Sequence, residues 1–252
     1  MPYQSRNEVQ VRAIGVARRY RSVQALEDVT LTFGSGTTAI LGRNGAGKSS
    51  LVRIIVGVDR ASAGEVEVVD GGVTVGRRER LRKIGWLPQS FGFPSGMRVA
   101  DFLAYAAWLK EVPREANDEA VERALEFADL RDVARKKMRE LSGGTLRRVG
   151  LGAAVVHSPA VLILDEPTAG LDPIQRAEFH AKVAQYAESA TVLLATHILE
   201  DVHAMASPVH VLDHGRVLWS GDVEGLSRLA TSGAVGVDAL RDGLITLVGV
   251  NL

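Results

Sequence analysis

The chain has 252 residues, 46% hydrophobic and 24% charged, with 30 basic and 30 acidic residues for a formal net charge of zero. Such a composition is that of a globular protein able to bury a sizeable core, and the zero balance gives no bulk pull toward nucleic acid or an anionic surface. With no cysteine, disulfides, thiolate metal sites and cysteine nucleophiles are excluded.

The opening stretch, MPYQSRNEVQVRAIGVARRY, is polar and alternating, with no apolar run of signal-peptide length. No segment approaches the roughly 20 apolar residues of a membrane span, so any membrane role is expected to go through a partner. "VQVRAIGV" (9–16) and "DVTLTFGSG" (28–36) alternate apolar with polar residues and break at glycine, as half-buried strands do. "TTAILG" (37–42) is a short apolar run into a glycine-rich turn, after which "KSSLVRIIVGV" (48–58) takes helical spacing. "GEVEVVDGGVTVG" (64–76) reads as a hairpin about its Gly-Gly pair.

From about 99 to 140 the pattern is helical and free of strands, with Pro113 dividing it. Then α/β alternation resumes: a helix over 144–157, a buried strand over 160–165, a helix over 172–189, a strand over 191–196 and a hairpin over 207–221. Uncharged strands alternating with helices predict a mainly parallel sheet covered on both faces. The basic clusters "RRERLRK" (77–83) and "RDVARKKMRE" (131–140) contain interspersed acids and read as solvated faces. Residues 226–252 carry mixed signals and are left unassigned.

"GRNGAGKS" (42–49) fits the phosphate-loop pattern G-x-x-x-x-G-K-[ST], set between a strand and a helix. Its glycines let successive N–H groups of Gly42, Arg43, Asn44, Gly45, Ala46 and Gly47 curl toward phosphate oxygens, and the helix start adds partial positive charge. Lys48 is then placed for the β- and γ-phosphates and the Ser49 hydroxyl, with Ser50 beside it, for Mg²⁺. The apolar strand "AVLILDEP" (160–167) ends in two acids. Asp165 suits an Mg²⁺ ligand at a strand tip next to the phosphate loop, and Glu166 suits a general base for an attacking water.

"LSGGTLRRV" (141–149) is a second glycine-rich helix start, with its own free N–H groups and dipole end. Together these residues resemble the ATP-binding cassette (ABC) ATPase family over about residues 10–220. The resemblance implies an α/β fold of the P-loop type: a mainly parallel sheet flanked by helices, an N-terminal antiparallel β subdomain and an inserted helical subdomain at about 90–157. It implies a nucleotide-binding domain over 1–225. Tyr20 stands where the family often has an aromatic that stacks on adenine; taken alone it reads more readily as an ordinary strand-end aromatic. Gln89 in "GWLPQS" resembles the glutamine that senses Mg²⁺ and contacts the transport partner, and Asp172 in "AGLD" the family's D-loop acid. His197 in "LLATHILED" resembles the switch histidine at the γ-phosphate. The other histidines, His157, His180, His203, His210 and His214, have no motif context and read as packing or surface residues.

In that family Ser142, Gly143 and Gly144 reach the γ-phosphate of a nucleotide held by a second copy, so the resemblance implies a head-to-tail ATPase dimer with ATP and Mg²⁺ as cofactors. Closure would align Glu166, His197 and the signature serine. Thr145 departs from the glutamine usual at its position. The family further implies separate transmembrane permease subunits, a peripheral place on the cytoplasmic side of the membrane and no nucleic-acid partner. The loop and helix "QSFGFPSGMRVADFLAYAAWLKEV" look like those of bacterial exporter-type cassettes, which implies export; import is the alternative. A soluble cassette of translation or DNA repair is disfavoured by the single phosphate loop and the absence of heptads and cysteines.

Overall fold

The computed structural model describes residues 9–249. Two sheets carry the fold. In the first, β1 (Gln10–Tyr20) and β2 (Val23–Phe33) pair antiparallel, β4 (Ala63–Asp70) lies on the other side of β1, and β5 (Val73–Thr74) closes the edge. Alternation explains it: Val11, Ala13 and Val16 of β1 and Leu26, Val29, Leu31 and Phe33 of β2 are buried while their neighbours face outward. The β4–β5 turn is the predicted Gly-Gly pair, Gly71 and Gly72, both at positive φ (56° and 83°).

The second sheet has the order β10-β9-β3-β8-β7-β6. It comprises β3 (Gly36–Leu41), β6 (Ile84–Leu87), β7 (Val161–Asp165), β8 (Thr191–Thr196), β9 (Val209–Asp213) and β10 (Arg216–Gly221). All neighbours run parallel except the β9–β10 hairpin. Every residue of β7 and β8 is buried, which is why these strands read as continuous apolar runs. The fold class is the predicted one.

Helix α1 (Lys48–Ile55) lies between the sheets, where Leu51, Val52, Ile54 and Ile55 join both in one core. Helices α3 (Val99–Leu109), α4 (Asn117–Phe127) and α5 (Gly143–Val155) pack around a core of their own that includes Leu103, Leu130 and Met138. Helix α6 (Pro173–Ala187) covers one sheet face with Phe179 and Val183. Helices α7 (Leu199–Met205), α8 (Val223–Ser227) and α9 (Gly236–Val248) cover the same face further along, over β3 and β9, with Val202, Leu226 and Leu240, while α1 packs on the opposite face.

Five of these elements, among them the five-residue α8, have no counterpart in the sequence pattern. Strand β6 is short and runs straight on from α2 (Arg77–Lys83), the basic cluster that reads as a solvated face. That helix has no buried residue, so it leaves no apolar period; it is held by Lys83 on Asp70 at 2.6 Å and by Arg78 and Arg82 on Glu111. Helix α7 follows His197 too closely for a separate period, and α9 fills part of the segment left unassigned.

Candidate functional site

Strand β3 delivers the chain at Leu41 into the loop 42–47, and α1 begins at Lys48. The loop is pressed between two other strands: a Cβ on Gly42 would come within 2.3 Å of the Leu212 carbonyl, and one on Gly47 within 2.5 Å of the Ala25 carbonyl. Gly47 also sits at φ 106°, a conformation that costs any other residue. Helix α1 has no side-chain cap, so its first N–H groups are open to an anion. Lys48 is buried; its Nζ donates to the carbonyls of Gly42 (2.7 Å) and Arg43 (3.2 Å) and lies 3.3 Å from Glu166 Oε1.

Strand β7 ends beside this loop. Ser49 Oγ donates to Asp165 Oδ1 at 3.2 Å. Burial pushes the Asp165 carboxyl up, opposed by the Ser49 hydrogen bond, while the neighbouring Glu166 adds to the rise. Glu166 sits at φ 47°, in the left-handed region that a residue with a long side chain enters only under constraint. Its Oε2 accepts from His197 Nδ1 at 2.8 Å and from Thr196 Oγ1 at 3.3 Å. Three sequence-distant segments thus converge on one carboxylate.

A cleft of about 340 Å³ opens on this cluster, lined by Asn44, Gly45, Gly47, Lys48, Ser49, Ser50, Gln89 and Glu166 together with Val23, Gln24 and Ala25. The donor set fits Mg²⁺–ATP. An uncapped helix start and an ammonium meet phosphate oxygens, and a hydroxyl–carboxylate pair is the sparse protein ligation Mg²⁺ takes beside phosphates and water. Gly42 and Ala46 are buried behind the loop, and Arg43 turns to an apolar cavity on its far side.

Not every expected residue reaches the cleft. Tyr20 is absent from its wall: the hydroxyl donates to Asp59 at 2.5 Å and the Arg18 guanidinium lies 4.4 Å over the ring. Val23, its cross-strand partner, lines the cleft instead. Ser142, Gly143 and Gly144 open α5 elsewhere. Ser142 Oγ accepts from the Thr145 N–H at 3.3 Å and lies 2.9 Å from Thr145 Oγ1. Asp172 caps α6 by accepting from the Gln175 N–H at 2.9 Å. Gly144 and Asp172 border a second cavity of about 320 Å³ that shares no lining residue with the first.

Two features leave little trace in the sequence pattern. Arg147 is a buried guanidinium within reach of the site backbone, and its only sequence signal is an arginine on the apolar side of α5. Asp201, fully buried, accepts from Thr168 Oγ1 and lies 2.8 Å from His180 Nε2, tying α6 and α7 to the turn after Glu166. His180 therefore has a specific partner. His157 and His210 are packing residues, burial pushing His157 down to about 4 and His210 downward as well.

Comparison with known proteins follows the same lines. The sequence model of the family described as ABC transporter matches residues 26–169. An uncharacterised ABC transporter ATP-binding protein of Bacillus subtilis, YxlF, is 31% identical over 214 residues, covering 84% of this chain and 71% of that protein. The methionine import ATP-binding protein MetN of Bifidobacterium longum is 37% identical over 207 residues, covering 79% of this chain and 52% of that protein. This chain therefore spans about half the length of that relative. A solved ATP binding subunit of an ABC transporter superposes with a TM-score of 0.79 at 23% identity, over 94% of this chain and 99% of that one, a likeness of fold.

Proposed function

This chain belongs to the ABC transporter ATP-binding family, and we propose that it is the subunit that hydrolyses ATP to drive separate membrane-spanning permease subunits. The observation that carries the reading is one side-chain cluster at a single cleft: Lys48, Ser49 and Glu166 line it, with Asp165 held on Ser49 and His197 on Glu166 beside them.

Bound Mg²⁺–ATP supplies the scissile phosphoanhydride and a metal charge that steadies it. Lys48 offsets phosphate charge from a buried position, where electrostatic interactions are strong. Ser49 Oγ and Asp165 Oδ1 are the protein oxygens for the metal, and Gln89 stands on the same cleft wall. Glu166 accepts the proton of the attacking water at its carboxylate, and His197 Nδ1 on Oε2 fixes which way that carboxylate faces. Ser142, Gly143 and Gly144 serve the nucleotide of a second copy, since in one chain they stand apart from the cleft. Tyr20 keeps the role of base platform in this proposal, the residue being 36% exposed.

Among the described residues no helix is long and apolar enough to cross a membrane. The surface offered to a permease is the outer side of α3, where Tyr105 and Trp108 stack with centroids 5.9 Å apart and Trp108 is 65% exposed. We place the chain on the cytoplasmic side of that permease and assign export, supported by the loop after Gln89 and by α3. Import is the second reading, favoured by the likeness to MetN. Recovery of the tagged chain from detergent-solubilised membranes with a stoichiometric membrane-spanning protein tests the assembly, and the chain recovered without one would refute it. ATP-driven flux of that pair in oriented vesicles decides the direction.

A further inference from the structure

Arg147 lies on α5, and only 9% of it is exposed. A guanidinium carries five N–H groups, and here its five contacts are all backbone carbonyls. Nε donates to Pro167 (2.7 Å), Nη1 to Pro88 (2.8 Å) and Gln89 (3.0 Å), and Nη2 to Asp165 (2.9 Å) and Glu166 (2.7 Å). Burial pushes its pKa down to about 10, against the attraction of Asp165 and Glu166, so it keeps its charge at neutral pH. A buried cation is costly, and this one is satisfied by the chain ends of two strands, β6 and β7.

Those chain ends carry the site. Glu166 occupies the left-handed region at φ 47°, which persists only where the surroundings over-determine it. Its N–H donates to the Ala195 carbonyl at 2.8 Å and its carbonyl receives Arg147 Nη2 at 2.7 Å. The strained residue is therefore pinned on both sides, once by β8 and once by α5. The same guanidinium holds the Gln89 backbone, and its helix begins at the Ser142–Gly144 turn.

We propose that Arg147 is the positioning residue of this site: it fixes the backbone that aims Glu166 and Gln89, and locks that backbone to the helix whose start serves the second nucleotide. The inference rests on the reading of Glu166 as the carboxylate that receives the water proton. Its consequence is that a shift of α5 moves Glu166 and Gln89 together.

The test uses the full chain with Arg147→Met, Arg147→Lys and each combined with Glu166→Gln. Nucleotide affinity is measured with a fluorescent ATP analogue, turnover by phosphate release and folding by thermal melting. We expect Arg147→Met to lower kcat about 100-fold, the scale of a misplaced catalytic group, with nucleotide affinity within about threefold. Lysine, which cannot reach two strand ends at once, restores only part of it. In the Glu166→Gln background either substitution adds little, because both act on one group. Wild-type kcat in both Arg147 variants, a loss confined to KM, or fully additive losses would overturn the proposal. If Arg147→Met does not fold, Arg147→Lys is read by the same three measurements and decides alone. A wild-type chain without ATPase activity would instead refute the function proposed above.

Discussion

Two helices of this protein start on glycine-rich turns, and they are built differently. Helix α1 follows Gly47 at φ 106° with no side-chain cap, so its N–H groups remain open. Helix α5 follows Ser142, whose hydroxyl accepts from its own Thr145 N–H. Around the first start the fold gathers Lys48, Ser49, Asp165 and Glu166; around the second it gathers none of them. An anion-binding helix start is therefore only half of a nucleotide site. The first is furnished within one chain, while in the function proposed here the second offers its donors to a phosphate held by another copy.

That contrast can be broken in graded steps. Lys48→Ala removes the cation from the furnished start, and nucleotide affinity should fall at least about 100-fold, since a buried charge pair is lost with it. Isothermal titration with Mg²⁺–ATP measures this, and undiminished affinity would sink the phosphate-loop assignment. Glu166→Gln keeps the shape of the cleft and removes its base, so turnover should drop about 10²- to 10⁴-fold while ATP stays bound. With hydrolysis stalled, the second start should remain docked on the first, giving a dimer by size-exclusion chromatography with light scattering. A monomer under saturating ATP would show that the two starts never meet. Thr145→Gln changes only the neighbour of Ser142, so turnover should stay within about twofold of wild type, under about 0.5 kcal/mol of barrier. A larger change in phosphate release would make Thr145 a determinant of the second start rather than a tolerated variant.

The parts legible in the sequence are those written locally. The phosphate loop shows itself because glycine, lysine and serine fall at fixed spacing between an apolar run and a helical one. Asp165 and Glu166 show because a buried strand ends on them. Strand β6 is hidden: four residues continue directly from a helix with no fully buried residue, so neither period has room to register. Helix α7 is hidden for a similar reason. Arg147 is illegible for a different one. Its role depends on β6 and β7 lying side by side, and no spacing within "TLRRV" reports which carbonyls the fold brings to it. Tyr20 illustrates the converse. Its position along the chain suits a base platform, and only the fold reveals that its hydroxyl is held by Asp59, which also pairs with Arg53.

The stacked pair on α3 has a practical consequence. Trp108 lies largely in solvent against Tyr105, whereas Trp86 sits in β6, just before Gln89, and is half-buried. The molecule therefore carries two native optical reporters facing different events. The emission maximum of the outer indole registers whether water has been displaced from the helical surface, and the inner one registers rearrangement of the strand that leads to the cleft. The third indole, Trp219, packs in a separate core with Val223 and Leu226 and supplies a background common to both signals. Docking and nucleotide engagement can be followed separately in the unlabelled protein, with Trp108→Phe and Trp86→Phe assigning each signal.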